Sequence, residues 1–183
     1  MRSFWIKLTN ARTRAALQAS ERSGEALGDL AAAPAGAPAF FKPLRAGLAR
    51  AAASGGPNPQ GSAALSAAED FTLRLEKTFS DMALLQAPPD APVKEALIYL
   101  SKACSLTPVV LSRNRREHAL REILGLSAVG RKALSLARDA ASRPASGPHP
   151  GGFAQNLKFS SIYSRLDTVF DALERLAEAL GRI

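Results

Sequence analysis

The sequence predicts an all-α fold: an irregular bundle of about five to seven helices with Pro/Gly-rich connections and a long, heptad-patterned C-terminal helix. Three observations carry this. Ala, Leu, Arg and Glu dominate the 183 residues, β-branched residues are scarce and aromatics reach only 6%, which favours helix over strand. Apolar residues recur every three or four positions, and no segment sustains the period-two alternation of a half-buried strand. Clusters of Pro, Gly and Ser divide the chain into helix-length pieces.

The first predicted helix covers about Ser3 to Leu30. Residues 32–42, AAPAGAPAFFK, then read as a linker carrying the apolar pair Phe40-Phe41. A short helix follows from Pro43 to Ala53, with Leu44 and Leu48 one turn apart. Residues 54–61, SGGPNPQG, form a second break. The third helix runs from about Ala63 to Leu85. It holds a capping-box pattern, Ser66 to Glu69, and the stripe Phe71, Leu75, Phe79, Met82.

Residues 87–92, APPDAP, stop that helix. Asp90 suits the N-cap of a fourth, with Pro92 in its first turn and Val93, Leu97, Leu100 and Cys104 on one face. Thr107-Pro108 reads as the start of a fifth helix ending near Leu124, with Gly125 as its stop. Ser127 reads as the cap of a sixth, reaching Ala141 before the break at 143–152, RPASGPHPGG.

The last helix has the strongest pattern. Phe159, Ile162, Leu166, Val169, Leu173, Leu176 and Leu180 are spaced alternately by three and four, a heptad seam about three repeats long. Arg165, Asp167, Asp171, Glu174, Arg175 and Glu178 lie away from it, and Asp171–Arg175 and Glu178–Arg182 have i,i+4 spacing. Such a seam needs an apolar partner, and an internal one is favoured because helical bundles use this packing. The faces Phe71–Met82 and Val93–Cys104 are the expected partners. The predicted division is a basic N-terminal helix and Ala/Pro/Gly-rich linker region over 1–60, and a helical bundle domain over 61–183.

The formal net charge is +8 and the pI about 10.2. The charge is uneven. Residues 1–60 and 106–150 each carry eight basic and three acidic groups, residues 61–105 carry four and six, and the rest balance at four and four. A basic protein meets anionic partners such as nucleic acid, lipid head groups or acidic proteins. Arg113, Arg116, Arg121, Arg131, Lys132 and Arg138 are the candidate anionic-partner surface, because the guanidinium fork suits phosphate. No aromatic is interleaved between Arg113 and Arg143, so base stacking has no support and any nucleic-acid contact would be to backbone phosphates. A merely solvated basic face is the plain alternative.

Cys104 is the only cysteine, which excludes an intramolecular disulfide and a disulfide-rich scaffold. Its apolar setting reads as a buried, inert thiol. His118 and His149 have no metal-ligand spacing to each other or to Cys104, and no HExxH, CxxC, phosphate-binding glycine loop or GxSxG elbow occurs. No catalytic residue, metal or cofactor is therefore expected, and the chain reads as a non-enzyme. No stretch approaches the roughly 18 apolar residues of a membrane span. Lys7 interrupts the only early apolar run, so a secretory leader fits poorly. Arg2, Lys7, Arg12 and Arg14 precede the first acid, Glu21, while Trp5, Leu8, Ala15 and Ala19 can share a helical face. Arg-rich, acid-poor and amphipathic describes a mitochondrial import segment, and an ordinary basic first helix is the alternative.

The leading functional expectation is a non-catalytic accessory or structural subunit of a larger, mitochondrial assembly, acting on other protein subunits through helix packing and basic surfaces. Two alternatives stand beside it. One is a bacterial helical adaptor, chaperone or secreted effector, in the cytoplasm or exported by a specialised system. The other is a protein that contacts anionic lipid or the nucleic-acid backbone.

Overall fold

The computed structural model describes residues 10–54, 58–141 and 152–183, and among these it contains six α-helices and no strand. They are α1 (Ala11–Ala32), α2 (Ala37–Ser54), α3 (Pro59–Leu84), α4 (Ala91–Ser105), α5 (Arg116–Ala141) and α6 (Gly152–Gly181). Short 3-10 turns at Pro34–Gly36 and Val109–Leu111 complete the order. Five helices close into a ring, each packed on the next in the order α1, α3, α6, α5, α4 and back to α1, while α2 covers α1 and α3 from outside. The ring buries one apolar cluster that runs from Ala16 to Leu180.

Local signals set the helix starts. Asn10 Oδ1 accepts from the Arg12 N–H at 2.9 Å, Asn58 Oδ1 from Gly61 at 3.0 Å and Asp90 Oδ1 from Val93 at 3.0 Å. Pro59 and Pro92 fall in first turns, where no intrahelical donor is lost. The start of α3 thus lies at Asn58-Pro59, ahead of the Ser66 capping box, which sits inside the helix. Residues 1–9, the break at 55–57 and residues 142–151 lie outside the described residues, and with them fall Arg2, Trp5, Lys7, Leu8, Arg143 and His149.

Two expectations about the breaks are corrected. The predicted 32–42 linker is mostly helix, because α2 begins at Ala37 and continues through Pro43. Phe41, Leu44, Leu48 and Ala51 form a stripe at helical spacing, all buried, with Phe41 packed edge-on to Phe40 at 4.9 Å. Burying that stripe outweighs the unfavourable Pro43, which sits on the exposed side of the helix. Likewise the predicted fifth and sixth helices are one. The chain makes only a 3-10 turn after Pro108, then a single helix passes through Gly125 and Ser127. Gly125 is exposed inside it and Ser127 is buried on its inner face with Ile123, Gly130 and Leu134. Thr107 does not cap a helix. It is buried and donates to Cys104 O at 2.8 Å.

Two close approaches fix the ring. A Cβ on Gly24 of α1 would stand 2.6 Å from Cys104 Cβ on α4, so only glycine admits this contact. Ser101 Oγ bonds Gly24 O across the same interface at 2.9 Å. A Cβ on Gly130 of α5 would stand 2.4 Å from Phe170 Cζ, whose ring is fully buried on α6.

Candidate interaction surfaces

The seven seam residues of α6, Phe159 to Leu180, are all buried, and six of them expose nothing beyond a fraction of a percent of their surface: Ile162, Leu166, Val169, Leu173, Leu176 and Leu180. Their neighbours are α3 and α5. The Val93–Cys104 face of α4 touches α6 only marginally, and is instead closed by α1 and α5. Charge explains the choice. One flank of α6 is basic: Arg165 pairs with Asp81 at 2.6 Å and Arg175 with Asp70 at 3.0 Å, both on α3. Its other flank is acidic and meets Arg131 of α5. Arg131 Nη2 lies 2.7 Å from both Asp171 and Glu174, and Nε lies 3.8 Å from Asp167. These are ion pairs rather than hydrogen bonds. Arg175 therefore takes Asp70 rather than Asp171 as its partner, while Arg182 keeps the expected i,i+4 pair with Glu178 at 3.7 Å. Tyr163 Oη donates to Asp90 Oδ2, tying α6 to the N-cap of α4.

The candidate anionic-partner residues differ in what they already contact. Arg131 is held by three carboxylates of its own chain. Arg121 pairs with Glu117 one turn back, and Arg116 Nε donates to Val110 O at 3.3 Å. Arg113 lies in the turn before α5. Arg113, Lys132 and Arg138 have no carboxylate partner among the described residues.

Among the described residues no three His, Cys, Asp or Glu side chains converge as metal ligands. His118 is exposed and lies 3.6 Å from Glu122 one turn on. Cys104 is fully buried, and burial pushes its thiol up to about 12, against a smaller opposing effect of a hydrogen bond with Ser20. Thiolate is the reactive form, so Cys104 should react with a maleimide in the folded protein orders of magnitude more slowly than in urea. Reaction at the unfolded rate would contradict its burial. The same shift makes stability pH-dependent. The thiol ionises near 9.0 when free but stays neutral to about 12 in the fold, so its contribution is complete below pH 9 and is lost as the pH rises through that window. Burial, and then the bond to Asp90 and its charge, raise Tyr163 in the same direction. The urea midpoint should fall above pH 9, and Cys104→Ala should make the fall shallower by up to about 1.4 kcal/mol per pH unit. Equal slopes in the two proteins would refute the linkage.

A groove of 1180 Å³ opens between α1 and α4. Leu27, Gly28 and Ala31 of α1 form one wall, and Leu97, Ile98 and Ser101 of α4 the other. Met82, Ala83 and Ala87 lie between them. Pro34 and Ala35 of the first 3-10 turn, and Pro88 and Pro89 before α4, are also in the lining. Ile98 is 55% exposed. Gln86, in the left-handed region at φ 48, turns the chain at this end of α3, where Ala87 N–H returns to Met82 O at 3.0 Å. Sequence reading does not find this groove, because its lining comes from three separate stretches, 27–35, 82–89 and 94–102, two of which run into predicted breaks. The available signal was Ile98: a large apolar residue off the inner face of its helix, between Lys94 and Lys102.

No protein-family model, curated protein or solved structure matches the chain.

The seam is closed inside the bundle, and of the basic zone Arg131 is paired across helices. The groove is the large concave surface that remains. A second, smaller cleft between α3 and α6 is lined by Leu73 and otherwise by polar and charged residues, of which Arg74 and Arg165 are already paired with Asp70 and Asp81.

Proposed function

We propose that this chain is a non-catalytic helical adaptor, an accessory subunit that holds another protein in the groove between α1 and α4. The groove carries the reading: it is large, mostly apolar and open, with Ile98 left half in water. Concave apolar surfaces with a few polar groups are where proteins take their ligands, and a helix-in-groove mode suits walls made of two helices. The pairing of Arg131 with three carboxylates of α6 takes one cation out of the reading through nucleic-acid phosphates. No helix among the described residues is long and apolar enough to cross a membrane.

The test is site-directed photo-crosslinking in the native source. A photoreactive residue at Ile98 should trap one defined protein, and the same residue at Val129, exposed on α5 away from the groove, should not. Gly28→Trp should abolish the Ile98 product, since the space beyond Gly28 is empty and an indole there would fill the groove. Equal products from both positions, insensitive to Gly28→Trp, would defeat the proposal.

A further inference from the structure

Resting on that reading, we infer that the occupant of the groove is an amphipathic helix whose apolar stripe is bordered by acidic residues on the side that meets α4. The lining holds two charged side chains among the described residues, Lys94 and Lys102, and no carboxylate. Both lysines belong to α4 and both are exposed. They stand eight residues apart, about 12 Å along the axis, with Ile98 midway on the same side. Lys102 Nζ also lies 5.8 Å from the centre of the Tyr99 ring. A partner helix laid in the groove would thus meet a positive lip at two points about two turns apart.

Size and wall texture suit a helix. A segment about 12 Å long and 10–12 Å across occupies roughly 900–1400 Å³, comparable with the 1180 Å³ of the groove. Apart from the buried Leu27, the α1 wall is built of small residues, Gly28, Ala31 and Ala32, and nothing stands within 4 Å of a Cβ at Gly28. Small side chains let helix axes approach closely.

Charge also gives the partner an orientation. Glu25 and Asp29, both exposed on α1, lie outside the lining. One lip of the groove is therefore positive and the ground beyond the other is negative. An acidic edge on the partner is attracted to α4 and repelled from α1, which selects one of two antiparallel placements. A flat anionic membrane would meet Glu25 and Asp29 together with the lysines, so the same charges disfavour a lipid surface.

The test uses the full chain and two labelled model peptides with one leucine stripe, bordered in one by glutamate and in the other by lysine. Fluorescence anisotropy at low salt should show the acidic peptide binding about tenfold more tightly, with the difference shrinking as salt is raised. Lys94→Glu with Lys102→Glu should reverse the preference, and Gly28→Trp should abolish binding of both peptides. All three sites are exposed, and unchanged thermal unfolding of each variant confirms that the fold is intact. If the two peptides bind equally and only Gly28→Trp matters, the groove stands and the acidic helix is overturned. If Gly28→Trp leaves peptide binding unchanged, the groove itself is wrongly assigned. Lysine-dependent sedimentation with phosphatidylglycerol vesicles, without peptide binding, would overturn the inference in favour of a lipid surface.

Discussion

Leu166→Asp should abolish cooperative unfolding of this protein at neutral pH. Leu166 is fully buried on the seam of α6, between α3 and α5. Truncation to alanine at such a site removes about 2–5 kcal/mol. Aspartate adds the penalty of an ion with no cation within the seam, several kcal/mol more. The whole stability of a domain is about 5–15 kcal/mol, so the sum reaches or exceeds it. Loss of the far-UV helical signal of the isolated chain is the expected readout, and Leu173→Asp should behave alike. A variant that keeps its helicity and melts within a few degrees of the parent would mean that the seam is not internally packed.

Gly130 and Phe170 should behave as one unit. Phe170→Ala leaves a cavity at the α5–α6 contact and should remove about 3–5 kcal/mol. Gly130→Ala would gain about 1 kcal/mol of helix propensity in open solvent. Here its Cβ would lie 2.4 Å from Phe170 Cζ, and the displaced ring should cost about 1–3 kcal/mol. Gly130→Leu should cost more than Gly130→Ala. Combined with Phe170→Ala, it should recover part of the loss, because the new side chain occupies the vacated space. Denaturant unfolding of the four proteins gives the coupling directly. Strictly additive losses would show that the two positions do not touch.

Both effects depend on which helices meet α6, and that choice was partly written in the charge pattern. Residues 61–105 are acidic on balance and 106–150 basic. The α6 flank with Arg165 and Arg175 faces the acidic zone through α3, and the flank with Asp167, Asp171 and Glu174 faces the basic zone through Arg131. Arg131 reads as a docking residue only while its helix is considered alone. A charge beside an apolar seam has two possible uses, and only packing distinguishes them.

Periodicity and composition determined the all-α class, the long buried seam of α6 and the cap at Asp90, because these follow from contacts within one or two turns. Tertiary burial decided the rest. The stripe Phe41–Ala51 carried helix through Pro43, since the apolar surface it hides outweighs one lost hydrogen bond and a strained ring. Gly125 failed to end α5 because Ile123, Ser127 and Leu134 bury a face that continues across it; glycine weakens an exposed helix by about 1 kcal/mol, less than such burial contributes. The groove has no local cause at all. Leu27, Met82, Ala87 and Ile98 converge because the ring closes α1 against α4 through the glycine contact at Gly24, and a cavity left between helices belongs to their arrangement in space, which no stretch of sequence contains.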